Sequence, residues 1–583
     1  MNTIFKLIFA LAAAGAVSIA QSQKMIDVRD FGVAPNSFID ATEGVKKAIE
    51  RCKSENNGAT LVFPKGRYDF WHEKTEKREY FISNTSSEEE CPSKIKNIGL
   101  LFEGVKNLTV EGNGSIFVFH GKMITIGIDH CENIEMRNLS VDFERPSMSE
   151  LSMIEVNSDY LIASVHPDSK YAIIDSKLFW YGEGYNIPRY HVIMTDTIEG
   201  TAKYRGWNPI LEGSVTELEP FKLRIDGDFR NSGYAAGQTL TVRDPYRDHV
   251  GVFVNLSKNI RLYGVNMHYM HGLGIISQFS ENLTYRRVNI TPSRGRTIAA
   301  FADGMHFSGC KGKILIDSCR FKGLHDDPVN VHGTYLKITE IQTPTRIKVR
   351  FMHGQTYGFA AFYENDTVGF VNSAALLTKG KSKVKTARLV SEREMLIELE
   401  SPLPKEVSTG YCVENLTWTP SLQVCNNRFE MTCTRGLLVT TPRSIRIENN
   451  VFYRTGMYGI LIACDAGSWY ESGAVNDAII RGNLFDACGY NILGNSYAIS
   501  IEPEVHEESP KHQVHRNIRI ENNTFKTLET QVIKAKFVDG LIFENNLIEK
   551  STWQKTEDEK NSLPAFKIEH CKRDSGFQEP SND

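Results

Sequence analysis

Short alternations of apolar and polar residues recur along the chain, each running into asparagine. The clearest is Ile445-Arg446-Ile447-Glu448-Asn449-Asn450-Val451-Phe452. It returns as Ile518-Arg519-Ile520-Glu521-Asn522-Asn523-Thr524-Phe525 and as Leu541-Ile542-Phe543-Glu544-Asn545-Asn546-Leu547-Ile548. Weaker copies begin at Leu108, Ile134, Ile260, Leu283, Ile314, Leu422 and Ala478. A period of two within each copy predicts strands, and asparagine suits a tight bend at unusual φ.

The spacing between copies sets the architecture. Val424 to Ile447 and Ile520 to Phe543 are both 23 residues, whereas Ile447 to Ile480 is 33 and Ile480 to Ile520 is 40. Strands this short cannot bury an apolar face alone, so successive turns must stack, with loops inserted in the longer ones. The expected fold is all-β, a right-handed parallel β-helix, with Val424, Ile447, Ile480, Ile520 and Phe543 stacked inside. Two intervals break the period and carry alternating segments of their own, Leu161–Val165 and Phe221–Ile225 in one, Arg346–Arg350 and Glu394–Leu399 in the other. They predict two small antiparallel β-barrel-like inserts.

The predicted division is a signal peptide at 1–20, an N-terminal cap and first coils at 21–145, and a first insert at 146–245. Coils at 246–333 follow, then a second insert at 334–420, C-terminal coils at 421–550 and a tail at 551–583. Lys6, the apolar run Leu7–Val17 and the small residues Ser18 and Ala20 read as a cleaved secretory signal. Export to the periplasm, cell surface or medium is expected, with no membrane span. Oligomeric state, a homodimer included, stays open.

Composition narrows the function. The 583 residues carry a formal charge of −4, which gives no basic surplus for nucleic acid, while aromatic residues at 10% leave rings for stacking on sugars. Eleven cysteines lack metal-type spacing and fit buried free thiols.

One acidic cluster stands out, Phe301-Ala302-Asp303-Gly304-Met305-His306 with Gly323-Leu324-His325-Asp326-Asp327-Pro328. Asp303 and Asp326 are 23 residues apart, which predicts neighbouring coils about 4.8 Å apart at the backbone. Gly323 and Pro328 predict a bend that brings both carboxylates of the pair to one cleft. Three acids in one patch should raise the pKa of at least one. Catalysis, bonding to turn amides and calcium ligation all fit this pattern. His306 and His332 fit either orientation of an acid or a bond to sugar, or a structural role. Weaker candidates for sugar binding are Trp469, Asp465 and Glu471 in one loop and Glu364 on the second insert. Arg294 and Arg296 are candidates for the pocket rim, and Glu502–Glu508 is an acidic loop without assigned role.

A lone Asp followed one coil later by an Asp-Asp pair resembles the polygalacturonase clan of inverting glycosidases. The fuller phrases Ala302–Phe307 and Leu324–Gly333 resemble glycoside hydrolase family 110, bacterial exo-α-1,3-galactosidases acting on blood-group-B-type glycans. The downstream galacturonate-binding Gly-His-Gly signature is not recognisable, which favours a neutral sugar. The resemblance implies release of terminal α-1,3-linked galactose with inversion. It implies Asp326 as the acid, Asp303 and Asp327 as the residues that hold and deprotonate water, and no metal or cofactor. An acid-to-base separation of about 6.5–9.5 Å is then required. A β-helix polysaccharide lyase and a non-catalytic glycan-binding solenoid are the alternatives.

Overall fold

The computed structural model describes residues 23–183, 185–187, 191–206, 208–244, 246–506, 512–553 and 563–578. The predicted signal segment therefore lies outside the described residues, as do Glu507 and Glu508 and part of the tail.

The repeat forms a parallel β-helix. Each coil runs through two strands separated by an asparagine bend, then a loop, then a third strand. Ile445–Glu448, Val451–Thr455 and Ile460–Ile462 make one such coil, and each strand pairs in parallel with its counterparts above and below. Val424, Ile447, Ile480, Ile520 and Phe543 are register partners in succession and all are buried, as their spacing predicts.

Why asparagine recurs is visible at the bend. The first residue of each pair, Asn426, Asn449, Asn522 and Asn545, takes a left-handed φ between 54° and 59°, a conformation that asparagine tolerates better than most residues. The second forms a ladder. The side-chain amides of Asn427, Asn450, Asn483 and Asn523 each donate to the next asparagine Oδ1 at 2.9 Å, ending at Asn546. Each also satisfies a buried backbone carbonyl, for example Asn483 Nδ2 to Ile447 O at 2.9 Å. Beside the ladder the rings of Phe321, Phe429, Phe452, Phe485 and Phe525 stack at 4.8–5.0 Å between centroids.

The N-terminal end is covered by the helix Thr42–Lys53, whose Val45, Ala48, Ile49 and Cys52 join the coil core. The first insert (insert I) is a seven-stranded antiparallel sheet with a three-stranded sheet closing over it, around its own core of Leu151, Leu161, Trp180, Leu223 and Leu240. The second (insert II) grows directly out of a coil strand. Val329–Thr343 begins in the helix and continues outward, where it closes with five further antiparallel strands into a six-stranded barrel. All eleven cysteines are free and nine are buried.

Candidate active site

The acidic residues lie where a loop enters the third strand of a coil. Met305 pairs with Val329, and Val329 pairs with Leu437. Asp303, Asp327 and Arg435 each stand two positions before these partners, so they stack on three successive coils. The expected alignment of Asp303 with Asp326 is corrected here. The coil is 24 residues by strand pairing, and Asp327 lies beneath Asp303. Hydrogen bonds from Gly304 N to Asp327 O and from Met305 N to Pro328 O, both 2.9 Å, fix that register.

The pair therefore diverges. Asp327 is buried and Arg435 closes on it, with Nη2 at 2.6 Å and Nε at 3.1 Å from Oδ2. Asp326 instead faces a cleft with its side chain one-third exposed, and Arg247 Nη1 lies 3.5 Å from its Oδ2. Burial raises the Asp327 pKa to about 7 against the lowering field of Arg435. Burial, then the charge of Asp326, raises Asp303 well above the usual carboxylate range. Two acids of the three are thus raised, by burial first and by the charges of their neighbouring acids after it.

Behind Asp303 runs a chain of imidazoles. Asp303 Oδ2 is 2.7 Å from His306 Nδ1, His306 Nε2 is 2.8 Å from His332 Nε2, and His332 Nδ1 donates to Gly333 O at 2.7 Å. Burial lowers the pKa of His306 to about 4 and that of His332 below its ordinary value. With both rings neutral, His332 Nε2 must accept from His306, His306 Nδ1 must accept from Asp303, and the proton sits on Asp303. Both rings are spent on this chain, so the expected sugar contacts of His306 and His332 give way to orienting Asp303.

The loop candidates separate in the same way. Glu471 stands beside the chain, with Oε1 3.4 Å from His332 Nε2, and accepts from Asn84 Nδ2 at 2.9 Å. Trp469 is half-exposed in the cleft, stacked on His353 with Arg247 beside it. Asp465 is corrected from sugar ligand to loop organiser. It is buried, and its carboxylate accepts the backbone N–H groups of Gly467, Ser468, Trp469 and Tyr470. Glu364 is corrected too. It occupies an exposed turn of insert II, and among the described residues no contact joins it to the cluster. Arg296 is buried against Asp142 at 2.6 Å rather than on a pocket rim, while the Arg294 carbonyl bonds His166 of insert I.

Arg247, Gln355 and Arg435 were not foreseen. Gln355 holds Arg247 Nη2 at 2.8 Å. A separate buried group, Asp248, His249 and His271, brings metal-ligand atoms within 4.8 Å of one another. Lys122 Nζ lies 2.7 Å from Asp248 Oδ1 and already supplies positive charge there.

Comparison with known proteins places the chain. The α-1,3-galactosidase A of Bacteroides fragilis is 44% identical over 91% of this chain and 88% of its own length. The α-1,3-galactosidase B of Bacteroides thetaiotaomicron is 38% identical over 95% of this chain and 90% of its own length. The chain belongs to the α-1,3-galactosidase family of glycoside hydrolases. The models for GLAA-B β-barrel domain I and domain II match residues 149–240 and 346–413, which fall on inserts I and II. Among solved structures, a family 28 exopolygalacturonase of Yersinia enterocolitica is similar at 12% identity and a TM-score of 0.40, over 96% of this chain and 79% of that one.

Proposed function

We propose that this protein is an exo-acting α-1,3-galactosidase that releases terminal galactose from linear or blood-group-B-type glycans by inverting single displacement. Asp326 gives its proton to the glycosidic oxygen as the bond from that oxygen to C1 breaks. Asp303 and Asp327 hold a water on the opposite face of the ring, and an ionised carboxylate of the two takes its proton as oxygen bonds to C1. The observation that carries this reading is the divergence of the Asp-Asp pair. Two carboxyls are buried and stacked, one under Arg435, while the third is presented to a cleft beside Arg247. One site thus holds acids in two different environments, two turned inward and one turned to the cleft where a glycosidic oxygen can reach it. Trp469 and Arg247 form the wall available to the galactose. The N-terminal apolar segment supports secretion, with the substrate met outside the cytoplasm.

Incubation with an α-1,3-galactosyl oligosaccharide, followed by proton NMR, tests this directly. Free galactose and a shortened acceptor are expected. Asp326→Asn should lose most activity on natural glycans, whose leaving groups need a proton. An unsaturated, ultraviolet-absorbing product would identify a lyase, and binding without turnover would identify a lectin-like solenoid.

A further inference from the structure

The cleft beside Asp326 has a volume of about 760 Å³, and its two ends come from distant parts of the chain. Arg247, Gln355 and Trp469 form one end. Insert I overhangs the other, held there through Ala202. The Ala202 N–H donates to the Tyr490 hydroxyl at 2.8 Å, and the Ala202 carbonyl accepts from Asn491 Nδ2 at 2.9 Å. Tyr490 also bonds Thr432 O at 2.8 Å, and Thr432 Oγ1 bonds Asp326 O at 3.1 Å. A short run of hydrogen bonds therefore ties the edge of insert I to the backbone of Asp326.

With Ala202 fixed, the next three residues, Lys203, Tyr204 and Arg205, face the cleft opposite Met457 and Ile492. Tyr204 is 58% exposed. Arg205 and Arg243 also line the cleft, while their guanidinium groups are anchored within the protein, Arg205 Nη2 on Gly233 O at 3.2 Å and Arg243 Nη1 on Asp244 O at 3.0 Å. The exposed Tyr204 ring, the apolar Met457 and Ile492 side chains and the exposed Lys203 ammonium together suit a sugar, which offers an apolar ring face and a rim of hydroxyls.

We propose that this end of the cleft is the acceptor subsite, where Lys203, Tyr204 and Arg205 of insert I bind the sugar from which galactose is released, together with any branch on it. This assignment rests on the role proposed for Asp326, because a proton donor must touch the oxygen that joins the two sugars. Galactose then lies toward Trp469 and the acceptor lies toward insert I. The insert is a specificity element that takes no part in bond breaking.

The test compares a substrate that has an acceptor sugar with one that has none. α-Galactosyl fluoride leaves as fluoride and places nothing in the proposed subsite, whereas the α-1,3-galactosyl disaccharide and its branched trisaccharide fill it. In Tyr204→Ala and Lys203→Ala, kcat/KM for the oligosaccharides relative to the fluoride should fall about tenfold, the loss of one to two polar or stacking contacts. A ratio equal to that of the wild type in both variants overturns the subsite. Phe221→Ala changes an exposed residue of insert I away from the cleft. If it moves the ratio as much, the effect belongs to the stability of the insert and the assignment falls. A wild-type protein that hydrolyses neither substrate overturns the proposed function itself, and the subsite with it.

Discussion

The Arg435 guanidinium closes on Asp327 with its Nη2 2.6 Å from the carboxylate, one coil beyond the acid it neutralises. Its field opposes the burial and the charges of Asp326 and Asp303, all of which push Asp327 upward to about 7. A base must be ionised to act, so kcat/KM should fall below a pH near 7. Removal of the cation takes away the lowering influence, and Arg435→Met should therefore move this acidic limb to higher pH, with Arg435→Lys moving it less. Unchanged limbs in both variants would assign the base elsewhere.

Asn483 occupies the middle of the amide ladder. Its Oδ1 accepts from both the backbone and the side-chain nitrogen of Asn450, and its Nδ2 serves Ile447 O and Asn523 Oδ1. Asn483→Ala strands buried partners on both neighbouring coils, so the expected loss of stability is on the order of 3 kcal/mol. Denaturant unfolding checks this, and a loss no larger than that of an exposed substitution would make the ladder ornamental.

Acid should weaken the fold through its buried histidines. Burial lowers the pKa of His515 from 6.5 to about 3, and its Nδ1 accepts the Val475 N–H at 3.0 Å, a bond only the neutral ring can make. The unfolded chain binds this proton below about 6.5 and the folded chain does not until about 3. Stability is therefore fully present above the unfolded value and is lost as pH falls across that window. Melting temperatures from pH 7 to pH 4 should decline, and His515→Leu should flatten the decline in part, since His306 and His271 titrate in the same sense. A slope identical to that of the wild type would contradict it.

The repeat was legible because each coil solves the same problem with the same residues. A left-handed bend, a buried amide and an aliphatic or phenyl ring inside leave an Asn-Asn signature that needs no structure to be seen. The acids were legible as a cluster but misaligned. Counting from Asp303 to Asp326 measures between loop residues, whereas the buried strand positions Met305 and Val329 are the proper ruler and give one residue more. Arg435 carried a signal of the same kind, two positions before Leu437, but it lies beyond an insert of about 80 residues that hides the register. Asp465 misled for a different reason. An acid beside Gly467 and Ser468 looks available to a ligand, yet nearby backbone amides are its closest competitors for that carboxylate.

Stereochemistry tests the three acids as a unit. Asp303 and Asp327 are proposed to share one water, and neither is proposed to attack carbon. Galactose should therefore leave an α-linked substrate first as the β-anomer, which proton NMR separates from the α-anomer before mutarotation mixes them. Asp303→Asn and Asp327→Asn should each cost several orders of magnitude in rate. The second would also leave Arg435 without its charged partner, so part of its loss should appear as lowered stability. Both residues lie on one strip of the coil, with His306 on the Asp303 carboxyl and Arg435 on that of Asp327. Early spectra dominated by α-galactose would require a covalent intermediate on one carboxylate, and the shared-water roles would then be wrong even with all three acids essential.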